Sequence, residues 1–441
     1  MRLPMRSVSL QTPIHIIVNI YLSVYLFAVL AGIFISSYFQ ISLISMLSFN
    51  VTDGWCNSKT QGIGEHCFGD FYYPLTFSNQ DNPWDTGSNP YPPFAQMIFK
   101  PFAILVERFP ASPLALLLYL GFMILAIMII PTHLYLTRKI GAINSIFLGV
   151  VVLSTTPVIV GLDRGNILVF CVPILYFFLH FEREGDSKRA FISWTMLVLI
   201  KPQFALLGLI FIRNSNLKGL VKRLMLCSVI FITSFLLYPV GIIENMKSYQ
   251  KQLFEYQDYG TLGSVFPVNV SIENGLSLVD VFFETKFAEG AFFVNLAVLM
   301  FTIVVTFRSP ATLRTSTVLP ILLLPIVIPQ TSWHYYLVVL VPFFIFAITN
   351  PGYSRGGTID ALDSNLEVRL QNYWQLGLAG WAFLLFVPWA FPWHVFGSGN
   401  TYFGTSNISM HWAVVIWSLP VYLIGSLIYN ESFKTRYSIN R

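Results

Sequence analysis

Charge is what this 441-residue chain has least of: Asp, Glu, Lys and Arg together make up 11% of it. A water-soluble domain carries roughly 25% charged residues to cover its surface. That shortage excludes the two to four soluble domains its length would otherwise suggest. The net charge of +5 is small and dispersed, and it points to no nucleic-acid partner. No small-residue cleavage site follows the first apolar run, Ile14 to Phe39, which is also longer than a signal-peptide core of about 7–15 residues. It is therefore read as a retained first span. No Asp-x-Asp pair occurs anywhere, so no metal-bridged nucleotide site is demanded. No internal repeat is visible, which weakens a transporter built on inverted repeats.

What is abundant is apolar surface: 55% hydrophobic residues, 40 Phe and 10 Trp, with a mean hydropathy of +0.65. A span needs about 20 mostly apolar residues to cross ~30 Å of hydrocarbon. This predicts spans at 14–38, 112–136, 142–160, 165–181, 223–243, 291–307, 313–329, 334–349, 374–392 and 411–429. The segment 190–212 differs, because two half-length apolar pieces meet at Lys201-Pro202-Gln203. Proline removes a helical donor and disfavours helix at the residue before it. Read as a broken pair that returns to the cytoplasm, 190–212 places most of the 26 Lys and Arg inside. Read as one kinked span, it would invert every later loop and spoil that bias. The expected fold is one all-α transmembrane bundle over 1–441 with about 10–12 spans. Both termini are cytoplasmic in this scheme, and the protein is a multi-pass component of the cell membrane.

The outer face then receives the long loops 39–111 and 244–290, the short turns 161–166 and 330–333, and the loop 393–410. Loops this long are functional or disordered, and these are too aromatic for disorder. Within the first loop, Tyr91-Pro92-Pro93 opens an apolar piece to Arg108, read as a helix lying in the interface. Cys56 and Cys67 would face an oxidising compartment, where a disulfide forms. The alternatives are two thiols or, less well supported, a zinc site with His66 that lacks a fourth ligand. Cys171 and Cys227 fall within spans and read as buried residues.

Asp70, at a Gly-Asp-aromatic step just outside the membrane, is the carboxylate best placed for proton abstraction. Asp53, Asp81 and Asp85 compete, but the last two sit among Asn, Pro and Gly as turn formers do. Three cations or near-cations could stabilise an anion across the pocket from Asp70. Arg164 stands at an outer helix end, where it could instead pair with Asp163. Lys201 lies at membrane depth, where a charge is functional by default. His334 sits beside Trp333 and Tyr335, which could equally be an aromatic belt. Tyr73, Tyr91, Asn166, Asn269, Ser271 and Trp333 are pocket candidates, with Tyr91 also suited to a rigid turn.

Several of these motifs recur together in one order. They are Gly69-Asp70-Phe71 after a first span, Tyr91-Pro92-Pro93, Gly165-Asn166, Leu199-Ile200-Lys201-Pro202-Gln203, Asn269-Val270-Ser271-Ile272 and Ser332-Trp333-His334-Tyr335-Tyr336. Over residues 14 to 349 the chain resembles the polytopic glycosyltransferases of the GT-C superfamily, specifically glycosyltransferase family 87. That family includes actinobacterial mannosyl- and arabinofuranosyltransferases of cell-envelope glycolipids and polysaccharides. The resemblance implies sugar transfer from a polyprenyl-phosphate donor to an acceptor hydroxyl outside the membrane. It also implies Asp70 as general base and His334 near the donor phosphate. Displacement of the phosphate in a single step inverts the anomeric centre, and no metal cofactor is expected. Two rival readings share the fold class: a ligase or polymerase of lipid-linked glycans, and a flippase for a lipid-linked sugar.

Overall fold

The computed structural model describes residues 68–85, 89–110, 112–215, 217–260, 271–307, 315–329 and 334–349, with isolated positions elsewhere. The predicted span 14–38 is described only at isolated positions. The spans 374–392 and 411–429, Cys56 and Cys67 lie outside the described residues. The described chain is helical apart from a two-residue antiparallel pair, β1 (Trp393–His394) with β2 (Thr401–Tyr402).

α1 (Gly69–Ser78) and α2 (Pro93–Arg108) precede the long apolar helix α3 (Leu114–Leu136). α3 shows why this is a membrane fold. At roughly 1.5 Å per residue it reaches about 34 Å, enough to cross the hydrocarbon. Tyr119, Met123, Ile127, Ile130 and Leu134 form a stripe at helical spacing and are buried. Leu117, Phe122, Leu125 and Ile129 on the remaining surface are exposed. A helix apolar on every side and packed on only one suits a lipid solvent. Leu217–Leu237 and Phe287–Phe307 are also long and apolar enough to cross a membrane.

The predicted span 142–160 is instead two helices, α4 (Ala142–Ser154) and α5 (Thr156–Arg164), bent by 65°. Pro157 has no N–H to continue the helix, and its ring would clash with the carbonyl four residues earlier. Thr155 accordingly turns extended. The predicted span 223–243 begins earlier, as α8 (Leu217–Thr233) with a 3-10 turn over Ser234–Leu237. Lys218 and Lys222 are exposed in its first turns, and the Arg223 guanidinium lies 4.5 Å from the Phe211 ring centroid. The loop 244–290 is largely helical, as α9 (Ile242–Gly260) and α10 (Ile272–Phe283).

The core forms around α6 (Leu168–Arg183), buried along most of its length. Against it pack α3, α7 (Ser187–Ile200), a 3-10 helix over His334–Val339 and α13 (Leu340–Thr349). α11 (Ala291–Phe307) and α12 (Thr315–Val327) complete the described bundle.

At Lys201 the chain breaks. Lys201 is extended, with φ −144° and ψ 106°, as a residue preceding proline must be. Residues Pro202–Ser215 continue in 3-10 turns and fold back along α7. The Trp194 indole donates to the Phe204 carbonyl at 3.0 Å, and the Trp194 and Phe211 rings lie 5.5 Å apart. In one straight helix residues 194 and 211 would stand about 25 Å apart. Gly208 permits the approach, since a Cβ there would lie 2.7 Å from Trp194 Cζ2.

Gly208→Ala is therefore expected to destabilise the protein by about 1–3 kcal/mol through overpacking. Thermal unfolding in detergent reads this out, and an unchanged midpoint would show that the close packing of the folded-back segment is unimportant.

Candidate active site

The first turn of α1 is assembled on the end of α5. Phe68, in the left-handed region at φ 56°, donates its N–H to the Asp163 carbonyl at 2.9 Å. Gly165 also has a left-handed φ, of 65°, and a Cβ there would lie 2.7 Å from Phe71 Cβ. Glycine is needed on both counts. The chain leaving α5 can then run directly against α1, which carries Asp70.

Contact between the two is a charge-assisted fork. Arg164 Nε donates to Asp70 Oδ2 at 2.9 Å, and Nη2 donates to Oδ1 at 2.9 Å. Asn166 Nδ2 donates to Oδ2 at 2.7 Å. Asn166 Oδ1 accepts from the Leu168 N–H at 2.9 Å, which orients the amide and starts α6. The side chains of Arg164 and Asp70 are only 17% and 16% exposed. Burial alone would raise the Asp70 carboxyl. The Arg164 charge, the hydrogen bonds from Arg164 and Asn166 and the more distant Lys201 charge outweigh it and hold the carboxyl below its ordinary value. Asp70 is thus ionised at neutral pH. The sequence-based expectation set Arg164 across the pocket from the base, alongside Lys201 and His334. The structure instead places Arg164 on Asp70 itself, because the bend at Thr155 and the turn at Gly165 carry the end of α5 to α1.

Lys201 is buried and faces two aromatic rings. Its Nζ lies 4.4 Å from the Tyr91 ring centroid and 5.8 Å from that of Tyr336. It is close enough for its charge to act on Asp70. Gln203 Nε2 donates to the Pro325 carbonyl at 2.7 Å, tying the break to α12. Tyr91 is set by a polar clamp. The Trp84 indole donates to the Tyr91 carbonyl at 2.8 Å, Asn89 Oδ1 accepts from the Tyr91 N–H and from Gln96 Nε2, and Gln252 of α9 accepts from the Asn89 N–H at 3.1 Å.

Asp70, Arg164, Asn166, Lys201 and Tyr91 are thus gathered into one cluster. Tyr73 lies one turn along α1, is 40% exposed, and stacks edgewise on Phe77 at 5.2 Å. Ser271 is the N-cap of α10, its hydroxyl accepting from the Asn274 N–H at 3.1 Å. His334 opens the 3-10 helix that packs against α5 and α6 and holds Tyr336. Asn269 and Trp333 lie outside the described residues. Asp81 and Asp85 are exposed in the turn after α1.

Sequence reasoning missed Tyr119, whose ring is surrounded by Phe71, Phe99, Phe102 and Phe170. Its hydroxyl is buried without a hydrogen-bond partner among the described residues, within electrostatic reach of Asp70. A tyrosine inside an apolar span carries no local signal of this. Among the described residues, no group of three His, Cys, Asp or Glu side chains is placed to hold a metal ion.

Because the folded value of Asp70 is depressed, its ionised form contributes stability above the unfolded value of about 4. That contribution is lost as pH falls through the lowered folded value. Arg164→Gln leaves the burial without the cation. It is expected to cost about 3–5 kcal/mol at neutral pH and to move acid unfolding to higher pH. Thermal melts at a series of pH values test both effects; coincident curves for variant and wild type would show that the pair is energetically idle.

The sequence profile of glycosyltransferase family 87 matches residues 89–329. No curated protein and no solved structure matches the chain. The matched stretch contains Arg164, Asn166 and Lys201, while Asp70 precedes it and His334 follows it. It covers more than half of the 441 residues and includes the apolar helices of a membrane bundle. The chain belongs to glycosyltransferase family 87 and is a membrane glycosyltransferase.

Proposed function

We propose that the protein moves a single sugar from a polyprenyl-phosphate donor to an acceptor hydroxyl of a cell-envelope glycolipid or polysaccharide, on the outer face of the cytoplasmic membrane. The observation that carries this reading is the ionised Asp70 carboxylate, gripped by Arg164 and Asn166 and set near the buried cation Lys201. Base and cation in one cluster are what displacement at an anomeric carbon requires.

In the proposed step, the acceptor oxygen bonds to the anomeric carbon as the carbon–oxygen bond to the phosphate breaks. The electron pair leaves with the lipid phosphate, and the hydroxyl proton passes to Asp70. One displacement inverts the centre. Asp70 Oδ2 accepts two of the hydrogen bonds above and Oδ1 one. Each carboxylate oxygen offers about two lone-pair sites, so Oδ1 is the atom suited to receive the proton. The fork lowers basicity, but the hydroxyl becomes strongly acidic as its oxygen bonds to carbon, so a weak base suffices. Arg164 in this scheme orients the base as well as contributing charge. Lys201 and His334 hold the phosphate. A lipid monophosphate carries less charge than a nucleotide diphosphate, so the scheme uses no metal. The outward orientation rests on the Lys and Arg bias of the connections, with both termini inside.

Purified protein assayed with polyprenyl-phosphate mannose, arabinofuranose and related donors is expected to consume one of them. Asp70→Asn should lower turnover by about 10²–10⁴-fold with little change in donor KM. Lys201→Met should act mainly on donor KM. Wild-type-like turnover by Asp70→Asn would falsify the base assignment. Labelled donor crossing proteoliposomes without being consumed would favour a flippase instead.

A further inference from the structure

A second polar cluster lies at the other end of α3 and α6. From Tyr119 to His133 the helix rises about 21 Å at roughly 1.5 Å per residue, so the two clusters are separated by most of a membrane span. His133 Nδ1 lies 3.4 Å from the Tyr176 hydroxyl. The His133 and His180 ring centroids are 5.0 Å apart, and the His180 ring stacks nearly parallel to Tyr176, 5° apart in plane. His180 Nδ1 is buried and has no hydrogen-bond partner among the described residues. A buried imidazole nitrogen left unpaired is unfavourable, and such groups usually have a protein, water or ligand partner.

Its charged neighbours are mostly positive. Lys139 acts on both histidines, and Arg183 acts on His180 and Tyr176. Arg183 also sits over the Phe346 ring at 5.9 Å, and that ring lies 6.3 Å from the ring of Tyr176. Glu184 is the one acid among the charged groups that act on His180. His133 is within a turn of the end of α3. Tyr135 and Leu136, next to it, are exposed apolar surface.

We propose that His133, Tyr176, His180, Lys139 and Arg183 form a phosphate-binding site at the membrane face opposite Asp70. The His180 imidazole, with whichever of His133 and Tyr176 keeps a free donor after their mutual hydrogen bond, supplies donors, and two cations supply charge, which is the chemistry that recognises a phosphate ester. The adjoining apolar surface suits an anionic phospholipid, its headgroup on the cluster and its chains along α3. The site does not depend on the proposed sugar transfer.

The test uses the full chain in phosphatidylcholine nanodiscs, titrated with phosphatidylglycerol or, separately, with inorganic phosphate. Native mass spectrometry counts retained anionic lipid, and thermal unfolding reads stabilisation. Wild type is expected to retain phosphatidylglycerol and to unfold at a higher temperature with it. Lys139→Gln and Arg183→Gln should each weaken retention by roughly fivefold. His180→Gln, which keeps a polar side chain and both cations, should also weaken it. Each variant should melt like wild type in phosphatidylcholine alone, which separates lost binding from lost folding. Stabilisation by inorganic phosphate, lost in the same variants, would support the site with a soluble ligand. Equal retention and equal melting shifts in wild type and all three variants would overturn it. Sugar transfer is not a readout, so failure here leaves that function untouched, and the converse holds.

Discussion

Asp70 and Arg164 are both more than four-fifths removed from solvent, and each is tolerable there only because of the other. Removing a carboxylate and a guanidinium from water carries a penalty of several kcal/mol per ion, recovered only with near-ideal geometry and full hydrogen bonding. The fork, completed by the Asn166 amide, meets both conditions. It also joins residues 94 positions apart in the chain. The α1–α2 segment is thereby pinned to the α5–α6 turn, and the carboxylate is held at a fixed place beside the bundle. The left-handed Phe68, the left-handed Gly165 and the Asx turn at Asn166 are all local conditions for that one contact.

A second buried charge is handled differently. Lys201 sits where α7 breaks and faces the rings of Tyr91 and Tyr336. Aromatic faces stabilise a cation without neutralising it, so its positive field persists at Asp70. The Arg164 charge is bound in the carboxylate fork, whereas the Lys201 charge acts on Asp70 from a greater distance. The break is braced from both sides, by the Trp194 indole on Phe204 and by Gln203 on Pro325. Its position is therefore set by packing as well as by Pro202.

A smaller aromatic core of Trp84, Phe235, Tyr238 and Tyr249 joins the loop after α1 to the end of Leu217–Leu237 and to α9. The polar chain Ser78, Gln96, Asn89 and Gln252 runs beside it. These contacts rigidify the segment that presents Tyr91 to Lys201. The segment between α1 and α2 is thus packed as part of the bundle.

Much of this was legible in the residues. The low charge, the apolar runs and the proline at 202 determine a helical membrane bundle with a break at Lys201, because backbone groups in lipid must be satisfied within helices. Asp70 is legible as an acid between Gly and an aromatic run, and Arg164, Asn166 and Lys201 are legible as candidates from expected helix ends and membrane depth. What the residues did not determine was which of them meet. The bend at Thr155 turned one expected span into two helices, and Ser271 was drawn into capping a helix. Tyr119 joined the site from inside an apolar span. Local patterns report secondary structure and burial, which depend on neighbours a few residues away. The pairing of Asp70 with Arg164 depends on two helix ends approaching across 94 residues, and only the packed tertiary structure decides it.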